Sequence, residues 1–206
     1  QSETNHKNSF LDWSKTKFTR CENCFSYFQS EKKTTNYINT DWKNVKDPDG
    51  NVRDMTAERD FKIKNWYGDT VPYIHNLNPG RVLDIGAGLG FFLSSLSNKW
   101  DKYAIEPSDF GKQYIKKNYN DISVLASSIY DKEIEDSYFD VIMFYHVIEH
   151  LENPSSALRV IYKILKKDGL LIIGTPNCRS FASILFKGNY RLLTQEHLCI
   201  FNPQSL

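Results

Sequence analysis

The chain has 206 residues, 40% of them hydrophobic and 25% charged, with a formal charge of +1. That size suits one α/β domain with a small appendage, and the even charge balance leaves no polybasic footprint for a nucleic-acid backbone. No run of eighteen apolar residues exists to span a membrane, and the polar start Gln1–Asn8 lacks a signal-peptide core. The cysteines at 21, 24, 178 and 199 make no disulfide framework, which points to a reducing cytoplasm. A start at Gln1 in place of Met points to a processed or trimmed chain.

Residues 1–50 read as a polar appendage that carries the pair Cys21-x-x-Cys24 and closes on the turn Asp47-Pro-Asp-Gly50. Residues 51–206 read as the core. From Val52 to Asn76 a helical stretch is expected, with Met55, Phe61, Ile63, Trp66, Val71 and Ile74 as its apolar positions. Their irregular spacing fits two short helices as well as one long one. A regular alternation follows. Strands are predicted at Arg81–Ile85, Lys102–Glu106, Ile122–Leu125, Asp140–Tyr145 and Leu170–Gly174. Helices fall between them at Phe91–Ser97, at Phe110–Asn118 and from Pro154 to the stop Lys167-Asp-Gly169. The last of these bears an apolar stripe of Ala157, Val160, Ile161, Ile164 and Leu165. Apolar strands alternating with helices predict a Rossmann-like, doubly wound, mostly parallel sheet covered on both faces.

The most informative run is Arg81-Val-Leu-Asp-Ile-Gly-Ala-Gly-Leu-Gly90, a buried strand breaking into a glycine turn. Such a turn admits a nucleotide, because bare backbone approaches the ligand and the following helix, from Phe91, turns free N–H groups towards it. The pattern D-x-G-x-G-x-G (Asp84, Gly86, Gly88, Gly90) differs from the dinucleotide G-x-G-x-x-G, and a carboxylate at the strand end would repel a pyrophosphate. It suits a ligand without phosphates and with a cationic amino-acid end, which describes S-adenosylmethionine. Glu106, 22 residues after Asp84, ends the second strand and is placed to accept both ribose hydroxyls.

Together with Ala104-Ile-Glu-Pro-Ser108, Phe139-Asp-Val-Ile142, His146-Val-Ile-Glu-His150 and Leu165–Asn177, this run resembles the class I S-adenosylmethionine-dependent methyltransferases. The resemblance covers about residues 80–206 and is nearest to the branch that methylates sugars, quinone precursors and lipids. It implies cofactor contacts from Asp84, Gly86, Ala87, Gly88 and Gly90, with Glu106 on the ribose and Pro107 and Ser108 beside the adenine. Ser128 and Ile129 would flank the adenine edge, Ser128 standing where many relatives place an acid. Tyr145 and His146 would lie near the sulfonium. It also implies an antiparallel hairpin, strands six and seven, that this chain lacks; we therefore expect a longer natural protein or a fragment.

Methyl transfer is an in-line displacement in which the protein aligns the partners and removes a proton from a hydroxyl acceptor. His146 is the first candidate base, with His150 and His197 behind it. His146-x-x-Glu149-His150 also spaces three donors along one helical face, with His197 able to join them. Small-RNA 3′-terminal methyltransferases and some quinone O-methyltransferases use a related set, glutamate first, to hold a metal. A metal-assisted 2′-O-methyltransferase acting on RNA ends is thus one alternative, and a non-catalytic cofactor-binding scaffold is another. A nicotinamide oxidoreductase is disfavoured by Asp84 and the glycine spacing.

The segment around Cys21 and Cys24 resembles the second knuckle of a zinc ribbon. The other two ligands of a zinc site would have to come from upstream, from His6 or from a second chain. Residues Cys178–Glu196, with Phe181, Phe186, Tyr190 and Arg191, are expected to face the acceptor, which is read as a small molecule rather than a nucleic acid. An open sheet edge beside the fifth strand would favour association into a homo-oligomer.

Overall fold

The computed structural model describes residues 3–5, 17–31, 37–46, 50–131, 133–186, 194 and 196–206. In chain order the N-terminal strands are β1 (Glu3–Asn5), β2 (Lys17–Arg20), β3 (Tyr27–Gln29), β4 (Val45–Lys46) and β5 (Val52–Arg53). Helices α1 (Arg59–Asn65) and α2 (Thr70–His75) follow, then β6 (Arg81–Ile85), α3 (Phe91–Ser95), β7 (Asp101–Ile105) and α4 (Asp109–Asn118). The chain continues through β8 (Ile122–Ala126), β9 (Phe139–Tyr145), α5 (Pro154–Ile164), β10 (Leu165–Gly174), α6 (Phe181–Phe186) and β11 (Cys199–Ile200).

Strands β6 to β10 form one sheet in the order β10-β9-β6-β7-β8, every pairing parallel. This is the doubly wound Rossmann-like sheet that the alternation predicts. The inner strand β9 is apolar from Val141 to Tyr145, as expected where both faces are covered. Val82, Val141 and Met143 point to a core shared with Phe92, Leu93 and Ile115 of the helices on one face. Leu83, Ile142 and Phe144 point to the opposite core, with Ala157, Ile161 and Ile164 of α5. The period of two along each strand sorts the residues between the faces. After β8 the chain returns across the sheet to place β9 on the other side of β6. The strand order therefore reverses beside β6, and in sheets of this kind ligands bind at the carboxyl ends beside such a reversal.

Local signals explain the helices. Asn153 caps α5 by accepting the Ser156 N–H at 3.0 Å, with Pro154 in the first turn. Ser108 caps α4 by accepting the Gly111 N–H at 2.9 Å, and Lys116 and Lys117 sit at its negative end. The stretch from Val52 to Asn76 resolves into two short helices, separated at Trp66–Asp69. Most boundaries differ from expectation by a residue or two, and one by more. The turn Lys167-Asp-Gly169 lies inside β10, which starts at Leu165 opposite Phe139 and shifts register before Leu170. Lys166 holds this early start by donating to Asp140 Oδ1 at 2.7 Å.

The N-terminal hairpin β2–β3 joins β1 and β11 in a four-stranded antiparallel sheet, where β3 pairs with Cys199–Ile200 near the other end of the chain. Phe18, Cys178 and Ile200 form a small core at that junction. Among the described residues no helix is long and apolar enough to cross a membrane.

One buried cation tests the packing. Lys102, at 4% exposure, donates to Leu96 O at 2.8 Å and to Asp121 Oδ2 at 2.7 Å. Asp121→Ala should lower unfolding free energy by about 1–2 kcal/mol, discounted because the aspartate is half-exposed. Lys102→Met should cost less than about 1 kcal/mol, since an apolar chain of similar volume needs no partner. Urea titration distinguishes the two; equal losses would contradict this view of the pair.

Candidate active site

The candidate cofactor half is built where β6 and β7 end. Gly86, Gly88 and Gly90 have φ of +76°, +56° and +74°, conformations that side-chained residues rarely adopt, so the alternate glycines permit the turn. Gly86 and Ala87 donate their N–H groups to Ile105 O at 2.8 and 3.1 Å, fastening the turn to β7. Asp84 is buried at the end of β6. Burial first, and then the neighbouring Glu106 charge, push its carboxyl well above the usual carboxylate range. Glu106, 2% exposed, accepts the Gly88 N–H at 2.6 Å and the Ser108 N–H at 2.9 Å. Burial raises its carboxyl too, opposed by the bonds from Ser108 and Gly88. Two buried acids side by side make a pocket that favours a cation.

Pro107 and Ser108 follow directly and lead into α4. Ser128 and Ile129 lie in the loop after β8; Ile129 is buried, Ser128 Oγ accepts the Tyr130 N–H at 3.3 Å, and Lys112 ties the loop to α4 through Ser127 Oγ at 2.8 Å.

The acceptor half gathers after β9. His146 has φ of +54° and donates its N–H to Gly174 O at 2.7 Å, which turns its ring out of the sheet. Its imidazole lies between Tyr145 and Trp66, with ring centroids 4.8 and 5.4 Å away. His146 Nδ1 is 2.9 Å from Glu149 Oε1, and Thr175 donates to Glu149 Oε2 at 3.0 Å. Glu149 is fully buried; burial works to raise its carboxyl, but the His146 bond first, and then the nearness of His146, His150 and His197, hold it below the usual range. An ionised carboxylate only accepts, so the His146 proton sits on Nδ1 and the Nε2 lone pair is left free of Glu149.

His150 and His197 join the same cluster, with rings 4.7 Å apart. His150 Nδ1 lies 2.9 Å from Glu196 O and 2.7 Å from the Tyr37 hydroxyl. The expected helical face does not form: Ile148–His150 is a single 3₁₀ turn and His146 precedes it in a left-handed conformation. The three donors that meet are Glu149, His150 and His197, with ligand atoms within 4.8 Å of one another. His146 is replaced in that set by His197.

Several aromatic or basic residues of the site, Tyr37 among them, have no motif to reveal them. Tyr67 packs on Phe92 and Tyr145, and burial followed by Asp84 and Tyr145 keeps its hydroxyl protonated. Trp42 reaches the glycine turn and donates its indole N–H to Ser108 Oγ at 2.8 Å. Lys62 is buried, its ammonium 4.6 Å from the Trp66 ring centre and 5.7 Å from that of Trp42, and burial pulls it down to about 8. The aromatic content of 14% was the one signal that rings would line a pocket.

Cys21 and Cys24 occupy the β2–β3 turn. Backbone hydrogen bonds from Cys24 and Asn23, then the Cys24 side chain, pull the Cys21 thiol down. Among the described residues no further Cys, His, Asp or Glu completes a three-donor cluster with them. His6, Tyr190 and Arg191 lie outside the described residues. Phe181 and Phe186, on α6, are exposed.

With this geometry, residues 58–206 match the methyltransferase domain family, and the chain belongs to it. It is 25% identical over 140 residues to the Mycobacterium tuberculosis "Probable S-adenosylmethionine-dependent methyltransferase", covering 64% of this chain and 51% of that one. It is 28% identical over 173 residues to the ubiquinone biosynthesis O-methyltransferase of Glaesserella parasuis, covering 69% and 73%. The chain thus spans about half the length of the first curated relatives it matches. A crystal structure of a methyltransferase from Archaeoglobus fulgidus shares the fold with a TM-score of 0.56 at 23% identity, over 70% of this chain and 63% of that one.

The raised Asp84 carboxyl carries a stability consequence. An acid whose folded value lies above its ordinary 3.8 favours the protonated chain, so folded-state stability is lost as pH rises from there through the raised value. Asp84→Asn should therefore raise the thermal midpoint at pH 7, by about 2–4 °C for each kcal/mol relieved, and the gain should shrink towards pH 3.8. Scanning calorimetry across pH checks this; a midpoint at or below the parent's at pH 7 would contradict it.

Proposed function

We propose that this chain is the catalytic core of an S-adenosylmethionine-dependent methyltransferase that transfers a methyl group to an oxygen of a small molecule. The observation that carries the reading is the pair of buried acids beside a glycine turn with positive φ. Glu106 is the ribose acceptor, Asp84 and Tyr67 favour the cationic end, and Gly86, Ala87, Gly88 and Gly90 line the approach. Ser108, Pro107, Ser128 and Ile129 enclose the adenine, with Tyr145 near the sulfonium. S-adenosylmethionine supplies an activated methyl group. His146 Nε2 takes the acceptor's proton, and Glu149 steadies the resulting imidazolium through Nδ1. Oxygen is favoured because a base matters most for a hydroxyl, and because relatives include ubiquinone biosynthesis and malonyl-[acyl-carrier protein] O-methyltransferases.

We read residues 1–50 as an appendage to the core at 51–206, held to it through the pairing of β3 with β11. Within that appendage Cys21 and Cys24 would supply two thiolates of a tetrahedral zinc site, whose remaining ligands lie outside the described residues. The protein is read as cytoplasmic and able to self-associate.

Transfer of a labelled methyl group to a panel of phenols, quinols and sugars tests the reading. Gly88→Arg should abolish cofactor binding, because the side chain would fill the approach to the turn. His146→Gln should keep that binding while lowering kcat by about 10²–10⁴-fold. Binding unaltered in Gly88→Arg would overturn the site. The His146 route expects a chelator to leave transfer unchanged. Loss restored by magnesium or manganese would instead assign Glu149, His150 and His197 to a cation that holds the acceptor.

A further inference from the structure

The glycine at the centre of the turn offers one bare face, and this chain's own Trp42 side chain lies over it, one methyl group's breadth away. A Cβ placed on Gly88 would lie 3.4 and 3.6 Å from Cη2 and Cζ2 of Trp42. The same indole donates to Ser108 Oγ at 2.8 Å, so it bridges the turn and the start of α4 in front of Glu106. Each Glu106 oxygen accepts a backbone N–H group from one of those two flanking residues, so the indole lies against the same two residues that hold the acid. Trp42 is held from its own segment. Its carbonyl accepts the Met55 N–H at 2.8 Å, Ile38 O accepts the Asp109 N–H at 3.0 Å, and Tyr37 meets His150 in the acceptor half. The Lys62 ammonium lies 5.7 Å from the Trp42 ring centre, adding a cation–π contact.

We propose that residues 37–46 form a strap that closes the cofactor site, with the Trp42 indole standing in the nucleoside's place, and that the cofactor enters by displacing it. An indole is a flat bicyclic ring with one N–H donor, close in shape to a purine, and a single glycine face cannot hold both. The strap reaches both halves of the site, through Asp109 and Ser108 on one side and His150 on the other. One opening therefore frees the cofactor crevice and loosens the acceptor histidines together. A chain that spends most of its time closed binds its ligand with an affinity reduced by the open fraction. The proposal rests on the cofactor reading above.

The test uses S-adenosylhomocysteine, with hydrogen exchange of the wild-type chain and calorimetry of wild type and Trp42→Ala. Exchange over residues 37–46 should quicken when the ligand binds, and Trp42→Ala should bind it about 3- to 10-fold more tightly, as removing a closed form populated at roughly 70–90% requires. Slowed or unchanged exchange, or equal or weaker binding by a folded Trp42→Ala chain, would overturn the strap while leaving the cofactor site intact. If the variant fails to fold, the wild-type exchange decides alone. No binding by any chain would overturn the cofactor reading and the strap with it.

Discussion

Two carboxylates buried beside each other at the ends of neighbouring strands set the terms for the rest of this molecule. Asp84 and Glu106 are held there by β6 and β7, whose apolar residues bury the sheet from both faces. Burial raises both carboxyls, and the Glu106 charge raises that of Asp84 further, while the bonds from Ser108 and Gly88 restrain Glu106. A fold retains such an arrangement at some loss of stability, and a ligand bearing positive charge removes the loss. In the proposed site the three glycines that follow Asp84 would admit that ligand to the backbone. The parallel sheet, the turn and the acid pair are one device, and helices α3, α4 and α5 hold it rigid.

Across the crevice the chemistry changes from holding a cation to holding a proton. Glu149 is fully buried, yet it is kept ionised by the histidines it touches. Its two oxygens are divided between His146 and Thr175, which come from the loops after β9 and β10. That division fixes the imidazole tautomer. His150 and His197 are bound up with Glu196, Tyr37 and backbone groups, so the three candidate bases differ in freedom although they share one carboxylate.

Much of this was legible in the sequence because it depends on local order. The strand Arg81–Ile85 was read to its observed bounds, since an apolar run ending in alternate glycines has few other conformations. Glu106 was picked out by its place at the end of the second strand, and Ser108 by the family resemblance. The histidine cluster was anticipated, but its geometry was not. The spacing suggested a helical face, whereas His146 adopts a left-handed conformation that brings its ring to Glu149 and leaves His197 to complete the donor set. Trp42, Tyr37, Lys62 and Trp66 were missed because long-range packing alone brings them to the site. So was the pairing of β3 with β11, since short strands far apart in the chain carry no local sign of each other.

The central claim is that the acid pair and glycine turn select a phosphate-free, cationic nucleoside. Competitive equilibrium dialysis of S-adenosylmethionine against NADH at one ionic strength tests it most directly. The account predicts retention of S-adenosylmethionine, undiminished by an equal concentration of NADH. Retention of NADH in its place would contradict it.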